Sequence, residues 1–523
     1  MAVAATAMLN PASAHAAGAV FQHGVASGDP LPEGVIIWTR VTVSDAATPG
    51  SGVGESASVR WEVARDEAFS SVAASGNVSA GAASDHTVKV DVSGLAPGTV
   101  YFYRFTALGQ TSLVGRTRTA PAISDSPDRL RFGVVSCSNW EAGYFGAYRH
   151  LAARTDLDAV VHLGDYIYEY GRGKYGGRNG TVRPHDPANE IITLADYRIR
   201  HAQYKTDPDL LNLHARQPFI CTWDDHESAD NSWSGGAGNH DPATEGSWQD
   251  RKAASAKAYL EWMPVRAKGT GGDVQIYRRL RFGTLAELSM LDLRSYRDQE
   301  AKPGARDADN PARTITGKAQ MDWLTAGLAS APVRWKLVGN SVMIAPLLFP
   351  PLDPAATAAI TGTLGLPQAG THVNGDQWDG YTADRQRLFR AITDQQVSDV
   401  VFLTGDIHSS WAADLPVDAA TYPAGKTAGT EFVVPSVTSS SIGDLLKLPA
   451  AGIAESIKGA NHHLRYVELD SHGYGVFEVT PDQTQMDWFY LIDVTDPNSA
   501  VRHGTSLAVR SGGRLEPRPS PLS

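Results

Sequence analysis

The chain of 523 residues is poor in cysteine and short of basic side chains. Its two cysteines, Cys137 and Cys221, are too few for a disulfide scaffold of this length. Lysine and arginine number 46 against 57 aspartates and glutamates, which gives a formal net charge of −11. Nucleic-acid-binding domains usually carry a basic face, so this balance argues against a nucleic-acid partner. It does not argue against small anionic substrates, because a bound metal ion can outweigh the net charge locally.

Long apolar runs are also missing, and only the alanine-rich start of the chain invites comparison with a targeting segment. Residues 1–17 end in the small residues typical of a signal-peptidase site but lack a basic beginning. We predict that they are the remnant of an export signal and that the protein is secreted. No other run approaches the roughly 18 apolar residues that a membrane span needs, so we expect no transmembrane segment.

Two catalytic signatures are absent. The sequence has no H-E-x-x-H motif and no Cys/His cluster, which argues against a zinc hydrolase of an unrelated fold. It also has no G-x-S-x-G elbow, so a serine nucleophile is not indicated.

Residues 18–120 read as a β domain. Short β-branched and aromatic runs alternate there with turn residues. Tyr101 or Tyr103 follows the turn at residues 95–98, which resembles the tyrosine corner of immunoglobulin-like and fibronectin-like sandwiches. We predict an N-terminal β-sandwich domain of this type.

The pattern changes after residue 120. Strand-like runs now alternate with amphipathic segments such as residues 318–330 and 382–394, which is the pattern of an α/β protein. We predict one catalytic domain over residues 121–500. Residues 501–523 end in proline and serine, and we expect them to form a disordered C-terminal tail.

Five of the predicted strands of this domain stop on polar residues that suit catalysis. In α/β sheets, ligands gather beyond the carboxyl ends of the strands, so five such endings indicate a single site. The endings are Cys137 with Asn139, Asp165 with Tyr168, Asp224 to Glu227, Asp292 with Arg294, and Asp406 with His408.

Metal binding is the chemistry that these residue types share. Carboxylates buried together would repel one another, and cations remove that cost. Asp165 stands where it can bridge two ions, and Tyr168 can reach the same place. Plainer alternatives remain for single residues: Cys137 as a small buried apolar side chain, and Arg294 as a salt-bridge partner of Asp292.

The motifs SCSNW, GDYIYEYG, TWDDHE, LDLRSYR, DQWDGY and LTGDIHSSW follow FQHGVASGDP in this order. Over roughly residues 20–490 the chain resembles the alkaline phosphatase D (PhoD-like) family, which is distantly similar to purple acid phosphatases. The resemblance implies an α/β metallophosphatase with a β-sandwich core flanked by helices. Cys137 stands where the purple acid phosphatase motif has its first aspartate, and Asp406 where it has a histidine.

The resemblance also implies a metal centre of Fe³⁺ and Ca²⁺. Iron would be held by Cys137, Asp165, Tyr168 and His408. Calcium would take Asp165, Asp225 and Asp406, with Asp224, Asn231 and Asn340 as further candidates, and the hard oxygens fit calcium. His226 would contact the phosphate or the leaving-group oxygen, and Arg294 would stabilise phosphoryl oxygens.

The predicted reaction is hydrolysis of phosphate monoesters or diesters by a metal-activated water. A phospholipase D acting on phospholipid head groups with the same site is the alternative within this class. A non-catalytic secreted binding protein with a structural metal is the alternative from another class. As partners we expect small phosphate esters or diesters, with phospholipids or wall polymers as further candidates, and we expect a monomer.

Overall fold

The computed structural model describes residues 20–269, 274–301, 306–348 and 375–522. The predicted export segment, residues 1–17, lies outside the described residues. Within the described ranges, no helix is both long enough and apolar enough to cross a membrane.

Two large sheets form the centre of the molecule. The first has ten strands in the order β22-β21-β20-β19-β9-β10-β11-β1-β2-β5, and β9, β10, β11 and β1 run parallel. Its strands are β1 (Val25–Leu31), β2 (Gly34–Arg40), β5 (Thr87–Ser93), β9 (Leu130–Val135), β10 (Ala159–His162), β11 (Pro218–Cys221), β19 (Gly473–Val479), β20 (Gln483–Leu491), β21 (Val501–Arg510) and β22 (Leu515–Pro517).

The second sheet has seven strands in the order β12-β13-β14-β15-β17-β16-β18, with β13, β14, β15 and β17 parallel. Its strands are β12 (Arg278–Phe282), β13 (Ala286–Met290), β14 (Trp335–Asn340), β15 (Val400–Thr404), β16 (Ser410–Pro416), β17 (Thr427–Val433) and β18 (Leu464–Glu468). The strands predicted around the polar endings are therefore confirmed.

The two sheets pack face to face, because each presents a row of buried β-branched, leucine and aromatic side chains to the other. Phe132 and Val161 of the first sheet share one apolar core with Leu337 and Leu403 of the second. This burial drives the association of the sheets, at about 25 cal/mol for each Å² of apolar surface removed from water.

Helices cover the outer face of each sheet. The predicted apolar faces of two helices are confirmed, since Met321 and Leu324 of one and Leu388 and Phe389 of the other lie in the core over the seven-stranded sheet. The helices are α1 (Gly146–Ala152), α2 (Leu194–Tyr204), α3 (Pro208–Arg216), α4 (Pro242–Glu245), α5 (Trp248–Trp262), α6 (Gly317–Ser330), α7 (Thr382–Asp394), α8 (Ile442–Leu446) and α9 (Ala451–Ala460). The result is a mixed α/β fold with several sheets.

The N-terminal strands form two layers. A five-stranded sheet contains β3 (Ala57–Ala64), β4 (Val72–Ala80), β6 (Val100–Ala107), β7 (Gln110–Thr111) and β8 (Gly115–Arg118). It packs on β2 and β5 through a core that includes Val35, Val59 and Tyr101. The partner layer belongs to the ten-stranded sheet, because β1 pairs in parallel with β11. The N-terminal strands and the catalytic strands therefore share one continuous sheet.

The C-terminal residues correct one expectation. Residues 501–523 were expected to form a disordered tail, but β21 and β22 add an edge to the ten-stranded sheet. Leu507, Val509 and Leu515 are buried in the core between the two sheets. The polar and proline-rich end of the segment obscured these alternating apolar positions.

Candidate metal centre

The carboxyl ends of the parallel strands in both sheets meet at one edge of the sandwich. Cys137 follows β9, Asp165 follows β10 and Asp225 follows β11, while Asp406 and His408 follow β15 of the facing sheet. An isolated parallel bridge from Ser136 to Ser436 joins the end of β9 to the loop that follows β17. The structure thus brings the predicted strand endings into one site.

Three overlapping sets of side chains there have ligand atoms within 4.8 Å of one another. Asp165 belongs to all three sets. Two of the sets also share Asp225, so they lie next to each other. The sets are Cys137–Asp165–His408, Asp165–Asp225–His226 and Asp165–Asp224–Asp225–Asp406. These side chains could hold metal ions, with Asp165 common to all of the sets.

Tyr168 joins the first of these sets. Its hydroxyl donates a hydrogen bond to Asp165 Oδ2 at 3.0 Å and lies 3.3 Å from His408 Nε2. Ser439 Oγ donates a further hydrogen bond to the same hydroxyl at 2.6 Å. His408 Nδ1 lies 2.9 Å from the carbonyl oxygen of Ser440, and a donor at Nδ1 leaves the Nε2 lone pair facing Tyr168 and the acids.

The backbone at the site is unusual. Cys137, Asp165, Asp406 and His408 have φ angles of 59°, 55°, 64° and 50°. Residues other than glycine rarely adopt this left-handed region, and each instance costs on the order of 1–3 kcal/mol. The surrounding fold therefore imposes these conformations, and it does so where side chains from different strands must converge.

Glu227 supplies part of that constraint. Its buried carboxylate accepts hydrogen bonds from the backbone N–H groups of Asp165 at 3.0 Å, Tyr166 at 2.6 Å and Asp224 at 2.7 Å. It thereby ties the end of β10 to the end of β11. Sequence reasoning gave this residue no role, although it lies within the DDHE motif.

Arg294 lies among the acids of the site. Its guanidinium donates hydrogen bonds to Asp224, to Asp376 at 2.7 Å and to Asp406 at 3.1 Å. The predicted alternative of an Arg294–Asp292 salt bridge is wrong, because the guanidinium is used on these other acids. Among the described residues, the Asp292 carboxylate accepts the backbone N–H groups of Arg294 at 3.2 Å and Ser295 at 2.9 Å, and not the guanidinium.

Asp376 and Gln377 also reach the site, and sequence reasoning assigned neither of them to it. Asp376 accepts hydrogen bonds from Arg294 and, at 2.8 Å, from Arg297, and Gln377 Nε2 donates one to Asp406 Oδ2. Both belong to the DQWDGY motif, which was the available signal. They precede a short helical turn and were not among the polar endings of the strands predicted from the sequence.

His226 is held by Glu169 and by aromatic stacking. Its Nδ1 lies 2.7 Å from Glu169 Oε2, and its ring stacks on Tyr168 with the ring centres 4.2 Å apart. Burial alone would lower the pKa of His226, but the carboxylates of Glu169, Asp225 and Asp165 raise it well above its usual value. The imidazolium is therefore positioned to face an anion.

The two asparagine candidates differ. Asn340 uses its side chain within the fold: Oδ1 accepts from Trp378 Nε1 at 3.0 Å, and Nδ2 donates to Thr404 Oγ1 at 3.0 Å and to the carbonyl of Val342. These contacts tie the Asn340 amide into the fold, and its assignment as a ligand stays a prediction. The backbone N–H of Asn231 donates to Asp225 Oδ2 at 2.6 Å, which places Asn231 at the edge of the site.

The donor set fits cations. Asp165 Oδ1 and Asp225 Oδ1 are buried, and neither accepts a hydrogen bond from the described residues. Burial raises the pKa of Asp165 and of Asp406 well above the usual range, and neighbouring acids contribute to both shifts. Burial likewise raises the pKa of the Cys137 thiol. Metal ions would satisfy the orphaned oxygens and offset this repulsion.

Two solved structures and one known sequence are similar to this chain over most of its length. A solved structure of PhoD matches with a TM-score of 0.86 and 36% identity, over 96% of this chain and 93% of that chain. Purple acid phosphatase PPD1 from yellow lupin seeds matches with a TM-score of 0.55 and 11% identity, over 93% and 73%, which is a likeness of fold alone. Alkaline phosphatase D of Bacillus subtilis (strain 168) is 38% identical over 488 residues, 92% of this chain and 79% of the relative.

The fold and the acidic site define a metal-dependent phosphoesterase. The family model for PhoD-like phosphatase matches residues 132–488, and the model for the N-terminal domain of PhoD-like phosphatase matches residues 5–121. The chain belongs to the PhoD-like phosphatase family. The predicted resemblance is confirmed, the protein is a phosphoric ester hydrolase, and the alternative of a non-catalytic binding protein is wrong.

Proposed function

We propose that the enzyme hydrolyses phosphate monoesters and diesters at a centre of one Fe³⁺ and Ca²⁺. When bound, the ions would supply an activated water and neutralise charge on the phosphoryl oxygens. The observation that carries this proposal is the position of Asp165, whose carboxylate belongs to all three sets of ligand atoms.

The ligand assignment follows the chemistry of the two halves of the site. Iron would take the thiolate and phenolate side, which consists of Cys137, Asp165, Tyr168 and His408. Calcium would take the carboxylate side, which consists of Asp165, Asp225 and Asp406, with Asp224 and Asn231 in supporting places.

Two further residues act on the substrate or on the ligands. His226, charged and held by Glu169, would donate a hydrogen bond or a proton to the leaving-group oxygen. Arg294 would hold Asp224 and Asp406 in position and add positive charge beside the phosphoryl oxygens.

The test is metal analysis of protein purified without chelator, together with its visible absorption spectrum. We expect about one iron per chain with calcium, and a broad thiolate- or phenolate-to-Fe(III) band that vanishes in Cys137→Ser or Tyr168→Phe. Active enzyme with no iron and no such band would overturn the assignment. Hydrolysis of a monoester, a diester and phosphatidylcholine in parallel would separate a phosphatase or phosphodiesterase from a phospholipase D.

The N-terminal layers support a further proposal, an immunoglobulin- or fibronectin-like sandwich. Tyr101 Oη accepts a hydrogen bond from the backbone N–H of Ala96 at 2.8 Å, which links the tyrosine to the chain a few residues upstream, as in a tyrosine corner. We also propose that the protein is secreted and that it is a monomer. Recovery of the protein from the culture medium would test secretion, and size-exclusion chromatography of that protein would test the monomeric state.

A further inference from the structure

Four aromatic rings form a compact cluster beside the candidate metal centre. Tyr168 stacks on His226 and, with ring centres 5.7 Å apart and planes 16° apart, on Tyr175. Tyr175 stacks in turn on Tyr170, at 4.9 Å and 23°. Tyr168 and His226 are buried, whereas Tyr170 and Tyr175 are only half-buried. Tyr170 and Tyr175 are therefore accessible to a ligand next to the site.

The backbone of both outer tyrosines is fixed. The buried Arg200 donates a hydrogen bond to the carbonyl of Tyr170 at 3.1 Å, and Asn139 Nδ2 donates one to the carbonyl of Tyr175 at 2.6 Å. Gly173, which lies between them, donates its N–H to Glu141. A surface that is held in place before binding loses little entropy when a ligand packs on it.

Core packing alone does not account for these two side chains. A buried tyrosine usually finds a partner for its hydroxyl. Among the described residues, neither the Tyr170 nor the Tyr175 hydroxyl has a hydrogen-bond partner, and neither oxygen is enclosed. Each ring lies close to His226, with ring centres 5.6 Å and 6.0 Å away.

The other side of the site is polar. Arg294, Asp376 and Gln377 line it with charges and an amide that are already bonded to Asp406 or to one another. A flat apolar group would lose the hydration of its surface there without gaining contacts. The aromatic side offers a matching face, since rings stack on rings with little dependence on their identity.

We propose that Tyr170 and Tyr175 form a stacking surface for the leaving group, which gives the enzyme a preference for phosphate esters that carry a planar aromatic or nucleobase ring. The inference rests on the proposed function, because it places the leaving-group oxygen at His226. The atoms attached to that oxygen then lie beside Tyr170 and Tyr175.

Adenosine 5′-monophosphate and ribose 5-phosphate provide the comparison, because both release the phosphate from a primary 5′-oxygen and differ in the base. We expect kcat/KM of the metal-loaded enzyme to favour adenosine 5′-monophosphate by about tenfold, the order of one stacked base. Tyr175→Leu and Tyr170→Leu should lower this ratio toward one, while kcat/KM for ribose 5-phosphate stays within about twofold.

Two further variants separate stacking from other roles. Tyr175→Phe keeps the ring and should keep the ratio. Tyr422→Leu removes a half-buried tyrosine on the hairpin between β16 and β17. It should leave kcat/KM for both substrates unchanged.

The outcomes are distinct. Equal kcat/KM for both substrates in the wild type, or equal loss of both in Tyr170→Leu and Tyr175→Leu, would overturn the inference while leaving the phosphatase intact. Failure of the wild type to hydrolyse any phosphate ester would overturn the proposed function itself.

Discussion

The Tyr168 hydroxyl and the Asp165 carboxylate converge on one point, with Tyr168 Oη and Asp165 Oδ2 3.0 Å apart. Asp165 follows the buried strand β10, and Tyr168 lies three residues further along the chain with its side chain directed back to Asp165. The contact places a phenol beside the carboxylate that belongs to all three sets of candidate ligand atoms. It explains why this strand ends on both residues rather than on an ordinary turn.

Asp165→Asn should remove both ions, because no other residue belongs to all three sets of ligand atoms. Bound iron and calcium should fall below stoichiometry, and activity should fall by more than about a hundredfold, which exceeds the loss expected for an outer-shell residue. Metal analysis and phosphatase assays would measure both effects. Asp250→Asn, on the exposed first turn of α5, removes the same charge and serves as the control. Full metal content in Asp165→Asn would contradict the bridging role.

Ser439→Ala should weaken metal retention without unfolding the protein. The lost hydroxyl oxygen lies 2.6 Å from Tyr168 Oη and 3.1 Å from the carbonyl oxygen of Cys137, so it contacts two proposed iron ligands. Outer-shell changes of this kind cost about 10–100-fold in metal affinity. Iron release during titration with a chelator would measure it, with Ser456→Ala on an exposed helix as the control. Identical release curves would contradict this role of Ser439.

Glu227→Gln should destabilise the protein by about 3 kcal/mol, because the amide group cannot accept all three backbone hydrogen bonds that the carboxylate accepts. The ends of β10 and β11 would lose their common acceptor. Thermal unfolding would show a lower midpoint than the wild type. The exposed Glu67→Gln should leave the midpoint unchanged, and an equal midpoint for both variants would refute the expectation.

Lys205 should make stability depend on alkaline pH. Its amine is buried 3.2 Å from both Tyr166 Oη and His214 Nε2, and burial lowers its pKa from 10.5 to about 7. Between pH 7 and pH 10.5, the folded state therefore binds fewer protons than the unfolded state. The contribution of Lys205 to stability therefore rises from pH 7 toward pH 10.5 and is lost as the pH falls to 7.

Lys205→Met should abolish that rise. The free energy of unfolding of the wild type, relative to that of Lys205→Met, should rise from pH 7 to pH 9.5. The expected rise is a few kcal/mol, the order that one displaced titration gives. Lys318→Met, whose side chain is 88% exposed, should show no such trend. A constant difference across this range would show that Lys205 stays charged in the fold.

Much of the site was predictable because catalytic residues follow strands whose apolar runs are local signals. Cys137, Asp165, Asp225 and His408 each stand just after such a run, and the parallel arrangement brings them together. Asp376 gave no comparable signal, since none of the strands predicted from the sequence ends on it. Its role depends on Arg294 and Arg297, which lie far away in the sequence.

The sheet order was less predictable than the strands themselves. The pairing of β1 with β11 places Ser27 opposite Pro218, and no local pattern encodes a pairing over such a distance in the sequence. The strands β21 and β22 were missed because their polar, proline-rich surroundings resemble a tail. Their burial depends on the facing sheet, which only the assembled fold supplies.

The ten-stranded sheet places β9, β10 and β11, which carry Cys137, Asp165 and Asp225, between strands from the two ends of the chain: β1 on one side and β19 on the other. Neither neighbour of this trio can be supplied by nearby sequence. Synthesis must therefore reach the last part of the chain before both edges of the trio are covered, and loop-closure entropy makes such distant pairings slow. A chain that stops short of β19 therefore leaves the edge of β9 open, next to the strand that leads to Cys137.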